Sequence, residues 1–221
     1  MGGRHKRWNR TTRFKPCSTV IRPTGIRRCS SASGARPEFA WLAENEWVFT
    51  EKVDGTNIRV DWDSEQALVE FGGRTDNAQI PAFLFKQLTQ MFPGSLFIDL
   101  YPETSMTLYG EGYGAKIQKG GGNYIPDGVS FILFDVMIGN VWLERHNVED
   151  IAGKLGIDVV PITGRGPLLE AVRFMERGDQ SLVAANENHI AEGLVMRPAV
   201  ELLDRLGKRI ITKIKYRDFA R

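Results

Sequence analysis

Val48-Phe49-Thr50-Glu51-Lys52-Val53-Asp54-Gly55-Thr56-Asn57-Ile58-Arg59-Val60-Asp61-Trp62 reads as two strands, Val48–Lys52 and Asn57–Trp62, around the turn Asp54-Gly55. Asp-Gly suits the positive backbone angles of a tight turn, so a hairpin is expected. In the second strand Ile58, Val60 and Trp62 share one face, and Arg59 and Asp61 take the other. That alternation is the pattern of a half-buried sheet. A lysine at a strand end, followed by a turn, directs its amine into the cleft the sheet forms. Such an amine attacks phosphorus only when neutral, so burial or nearby cations must lower its pKa. On its own, Lys-x-Asp-Gly carries little weight, because Asp-Gly is a common turn.

Outward from this stretch the chain alternates short strand-like and helix-like segments. Pro81 to Phe92 is expected to be helical, with Leu84, Leu88 and Met91 on one face. Thr107–Gly112, Val129–Ile138, Ile190–Arg197 and Arg209–Arg217 read as further strands. Asn147 is expected to cap a helix that Gly156 ends, and Pro167 to start another that Gly178 ends. Hairpin turns outnumber strand-helix-strand units, which predicts an α+β fold with mostly antiparallel sheets flanked by helices.

The 221 residues, 42% hydrophobic and 25% charged, are enough for a soluble domain with a proper core. Val129 to Ile138, the longest apolar run, contains Asp135 and falls short of the ~18 residues of a membrane span. Cys17 and Cys29 both lie near the N-terminus, away from the expected core. With no apolar leader, they fit a reducing, cytoplasmic setting. The net charge of +2 conceals an asymmetry. Residues 1–36 hold ten Lys and Arg and no Asp or Glu, so the rest has nineteen basic against 27 acidic residues. The chain therefore divides into a basic, poorly ordered arm, 1–36, and a folded domain, 37–221. The arm is expected to favour polyanions; a plain solvated tail fits the same composition. No P-loop is present among the glycines from Gly110 to Gly122, and His5, His146 and His189 show no zinc spacing.

Taken together, Lys52-Val-Asp-Gly, Arg74, Tyr109-Gly-Glu111-Gly, Phe134-Asp135, Glu192-Gly-Leu-Val-Met-Arg197 and Lys213-Ile-Lys215 follow one another in an informative order. This order resembles the collinear motifs of covalent nucleotidyltransferases, the ATP-dependent DNA and RNA ligases and the mRNA capping enzymes. The resemblance runs from about Trp47 to Phe219. Glu51 directly before Lys52, Asn57 five residues after it and Gln118 seven beyond Glu111 are similar to the phage-type RNA ligases. It implies a nucleotidyltransferase (adenylation) domain that uses ATP with Mg²⁺ or Mn²⁺ and joins polynucleotides, RNA in the first instance. Lys52 would carry AMP, and Glu51 and Phe134 would hold the adenine. Arg74 and Glu111 would contact the ribose and phosphate region, with Asp54, Asn57 and Gln118 also in the nucleotide site. Glu192 and Asp135 would lie near the metal and the reacting phosphate, and Lys213 and Lys215 would bind the α-phosphate.

The residue pattern is compatible with those roles. Lys213 and Lys215 lie two apart in a strand and share one face, while Ile210, Thr212, Ile214 and Tyr216 form the other. Two ammonium groups in one cleft suit an anionic transition state. Glu192 stands among Ile190, Leu194 and Val195, where a carboxylate wants a cationic partner. Two departures stand out. Phage-type nick-sealing RNA ligases often carry His where this chain has Asp54, and Lys where it has Gly73. Asp54 gives the motif a form shared with DNA ligases. The sequence also ends six residues after Lys215, so no OB-fold domain is expected after it. An ATP-dependent DNA ligase core, a GTP-using capping-type enzyme, or a nucleic-acid-binding protein of this fold without catalysis would share the same framework.

Overall fold

The computed structural model describes residues 37–75 and 77–219. The expected arm, 1–36, lies outside the described residues. Among those described, the chain forms ten strands and five α-helices, numbered in chain order. Two sheets divide the strands. The first has β1 (Trp47–Glu51), β8 (Ile162–Gly166), β9 (Gly193–Pro198) and β10 (Thr212–Lys215), in the order β10-β9-β1-β8. The second has β2 (Thr56–Asp63), β3 (Leu68–Gly73), β4 (Met106–Gly114), β5 (Val129–Ile138) and β6 (Val141–Trp142), in the order β3-β2-β4-β5-β6. All these pairings are antiparallel; β7 (Asp158–Val159) alone runs parallel, beside β5. The expected α+β class holds, and no sheet closes into a barrel among the described residues.

The turn after Lys52 is not a hairpin. β1 pairs with β8 and β9, whereas β2 pairs with β3 and β4. Val53 to Gly55 therefore carries the chain from one sheet to the other. Asp-Gly chemistry bends the chain in either case, and the pairing partners decide which it is. Gly55 is required there, because a Cβ would lie 2.3 Å from the Gly112 carbonyl oxygen of β4. Tyr124 Oη accepts the Asp54 N–H at 3.3 Å, and Gln118 Nε2 donates to the Gly55 carbonyl at 3.0 Å.

Each sheet has its own core. Ile58, Val60 and Trp62 of β2 pack with Leu108, Leu133 and Val136 under α2 (Ala82–Met91), α3 (Gly94–Leu100) and α4 (Arg145–Leu155). Trp47 and Phe49 of β1 pack with Leu194, Met196 and Ile214 against α5 (Leu168–Arg177) and Phe39 of α1 (Pro37–Trp41). Gly156 and Gly178 end α4 and α5 in the left-handed conformation, as expected. Asn147 does not cap α4, which begins two residues earlier. Arg145 anchors that start by donating to the Val160 carbonyl at 2.9 Å. Among the described residues no helix is long and apolar enough to cross a membrane.

A bulge in β5 shapes what lies between the sheets. Tyr109 faces Asp135 and Gly110 faces Leu133, so Phe134 is an extra residue in the ladder. Leu133 and Val136 both enter the second sheet's core. Phe134 packs instead on a third cluster that holds Val53, Tyr113, Tyr124, Ile132 and Val160.

Candidate active site

Lys52 follows β1 directly, and its N–H donates to the Gly193 carbonyl at 2.9 Å. The side chain thereby starts from the mouth of the crossing between the sheets. Its Nζ donates to Glu192 Oε2, and Lys215 Nζ donates to Glu192 Oε1. One carboxylate, held just ahead of β9, thus gathers two amines from different strands. Glu192 is fixed at its own backbone, where its carbonyl accepts the Tyr216 N–H at 2.8 Å. Burial pushes the Glu192 carboxyl up, but the ammonium groups of Lys52 and Lys215 outweigh it and hold the carboxyl below its usual range. Thr212 and Ile214 are buried, so Lys213 and Lys215 share the other face of β10, as expected. Burial lowers the Lys213 pKa, and the charges of Lys52, Lys215 and Arg74 lower it further. Lys52 and Lys215 thus hold Glu192, and both act with Arg74 on Lys213.

The second sheet brings a further carboxylate within electrostatic reach of Lys52 and Glu192. Glu111 of β4 lies directly opposite Asn57 of β2 and bonds to its side chain. Burial pushes the Glu111 carboxyl up to about 7, against the pull of Lys52 and Asn57. Asp54 is also raised, chiefly by burial and then by Glu192. Lys52, Asp54, Gln118, Lys119, Glu192 and Lys215 are among the residues lining a cleft of about 590 Å³.

Two residues have other partners than their expected roles suggest. Glu51, 2% exposed, accepts from Ser181 Oγ and from the Leu182 N–H at 2.7 Å. Both its oxygens are engaged by the loop that begins at Ser181. Asp135 accepts from Arg197 at 2.9 Å and from Arg209 at 2.8 and 3.2 Å. Sequence reading passed over Ser181, Tyr124 and Arg209. Their partners Glu51, Asp54 and Asp135 lie 130, 70 and 74 residues away, so no local signal pointed to them.

Beside this geometry, the RNA ligase family model matches residues 45–215. The chain belongs to the RNA ligase family. Among solved structures it resembles RNA ligases of Naegleria gruberi. A variant with ATP and Mn superposes with a TM-score of 0.61 at 19% identity, over 81% of this chain and 52% of that one. An apo variant gives 0.62 at 19% identity, over 83% and 53%, and the ligase with PPi gives 0.59 at 21%, over 81% and 52%. At this identity the likeness establishes the fold, and the chain spans about half the length of these structures. No curated protein matches the sequence.

The donor set of this RNA ligase domain also bears on a divalent metal. Among the described residues no group of three or more His, Cys, Asp and Glu side chains could enclose one. Glu192 lies close enough to Glu111 and Asp54 for both to feel its charge, and its two oxygens accept from Lys52 and Lys215. Mg²⁺ is commonly bound through one or two carboxylates plus substrate phosphates.

Glu111 carries a pH prediction for the ligand-free domain. Between pH 4.5 and about 7 the folded chain keeps a proton that the unfolded chain has released. Stability should therefore fall as pH rises through that window and level off above it. Glu111→Gln removes this component, so its advantage over wild type should grow from pH 5 to pH 8, by on the order of 1–3 kcal/mol. Denaturant titrations at several pH values measure it, and parallel curves for the two proteins would refute it.

Proposed function

We propose that this domain is an ATP-dependent polynucleotide ligase acting on RNA, and that its intermediate is AMP joined to Lys52. The observation that carries the reading is the position of Lys52. It sits where the chain crosses between two sheets, bonded to Glu192, with Lys215 on the same carboxylate and Lys213 and Arg74 nearby. Asp54, Glu111, Glu192 and Lys213 all feel its charge.

In the first step Lys52 gives up its ammonium proton, and the free amine attacks the α-phosphorus of ATP, forming the N–P bond as the bond to pyrophosphate breaks and the amine sheds a second proton to solvent. Lys213 and Lys215 stabilise the charge that builds on the α-phosphate oxygens. Phe134 offers its ring to the adenine. Asn57, Glu111 and Arg74 hold the ribose and phosphate region, and Asp54 and Gln118 brace the crossing turn beside it. Glu51 contributes from the outside, by fixing the loop at Ser181. A bound Mg²⁺ or Mn²⁺ would neutralise phosphate charge, with Glu192 as its protein ligand. AMP then passes to a polynucleotide 5′-phosphate, and a 3′-hydroxyl attacks that phosphate and releases AMP.

The test combines α-labelled ATP, Mg²⁺ and a panel of nicked RNA, DNA and mixed duplexes. Label should appear on the protein first and then on the 5′ end of an RNA strand before sealing. Sealing confined to DNA nicks would replace the RNA reading. Labelling by GTP and not ATP would replace the ligase reading with a capping-type one.

A further inference from the structure

Arg209 stands outside the cleft, in the connection before β10, with its side chain only 4% exposed. Its guanidinium forks onto two carboxylates. It donates to Asp135 at 2.8 and 3.2 Å and to Glu201 at 2.7 and 2.8 Å, and it lies 4.6 Å over the Trp142 ring. Arg197 of β9 adds a further bond to Asp135. Asp135, 8% exposed, belongs to β5, so the bond from Arg197 joins the sheet that carries Lys215 to the sheet that carries Glu111 and Phe134, and Arg209 adds to it from just before β10. A buried ion pair is a weak source of net stability, because desolvation cancels much of the attraction. What it supplies is direction, since a bidentate fork tolerates few arrangements. Here the directed residue is the immediate neighbour of Phe134, within the bulge that takes Phe134 out of the second sheet's core.

We infer that Arg209 is a positioning residue for ATP: by clamping Asp135 it fixes the β5 bulge, and so the seat of Phe134 against the base. The inference rests on the nucleotide-transfer reading above. It gives Asp135 a part in the site that needs no contact with metal or phosphate.

The test is a double-mutant comparison of self-labelling by ATP. Arg209→Lys keeps the charge but not the fork. It should raise KM for ATP on the order of tenfold, with a smaller change in rate at saturating ATP. In a Phe134→Leu background the same substitution should add less than about twofold, because residues that act through one contact are not additive. A change confined to folding would shift both backgrounds alike, so equal shifts, or an unchanged KM, would overturn the inference. Should Arg209→Lys not fold, Glu201→Ala replaces it. That side chain is 38% exposed and releases only the outer half of the fork. It should raise KM several-fold, roughly, and again only when Phe134 is present; an unchanged KM counts against the inference. A wild-type chain that takes no label from ATP would overturn the nucleotide-transfer reading itself, and this inference with it.

Discussion

Lys52→Ala should abolish transfer of label from ATP to the chain, and Lys52→Arg should fail as completely. The alanine has no nucleophile, and the arginine guanidinium stays protonated at any working pH. Two other amines, Lys213 and Lys215, stand close by, so the prediction is not trivial. Burial and neighbouring cations lower the Lys213 pKa, which favours the neutral amine there too. Position separates them. Lys52 lies at the crossing between the sheets and acts electrostatically on Glu111, Asp54 and Glu192 together, whereas Lys213 projects from β10 on one side. Strong labelling of Lys52→Ala, measured on the purified protein, would move the nucleophile to β10.

Glu192→Gln should lower the rate of label transfer by on the order of 10²–10³, the size typical of losing a preorganised electrostatic group. The carboxylate accepts from Lys52 with one oxygen and from Lys215 with the other. An amide offers one acceptor and turns an N–H toward the second ammonium, so at most one amine keeps its place. It is also a poorer ligand for a hard cation. The variant should therefore need more Mg²⁺ or Mn²⁺ to reach its own maximum. Wild-type rates at low metal concentration would reduce Glu192 to a structural link between two strands.

Much of this site was legible because its signals are local or ordered. The two-residue spacing of Lys213 and Lys215 put both on one face of β10, and the alternation of Ile58, Val60 and Trp62 set the buried face of β2. The limits of Val129–Ile138 agree with β5 to the residue. Most of what was not legible has one physical cause, which is partners far apart in the chain. Asp54-Gly55 has the same turn chemistry whether the next strand folds back or crosses to another sheet. β1 crosses because it pairs with β8 and β9, more than 100 residues downstream. β3 and β8 were missed as strands; they are short, and each contains two glycines that blur the alternation. Glu51 beside Lys52 gives no local sign of its partners, Ser181 and Leu182, which lie 130 and 131 residues away. Arg209 lies outside every motif. Its partners Asp135, Glu201 and Trp142 come together around it only in the fold.

The central claim is that AMP becomes attached to Lys52, and mass mapping tests it most directly. The wild-type protein is incubated with ATP and Mg²⁺ without polynucleotide, digested under conditions that preserve phosphoramidates, and its peptides are searched for added AMP. The account predicts one modified site, Lys52, that loses its AMP when pyrophosphate is added back before digestion. AMP on Lys213 or Lys215 with Lys52 unmodified, or no adduct at saturating ATP, would contradict it.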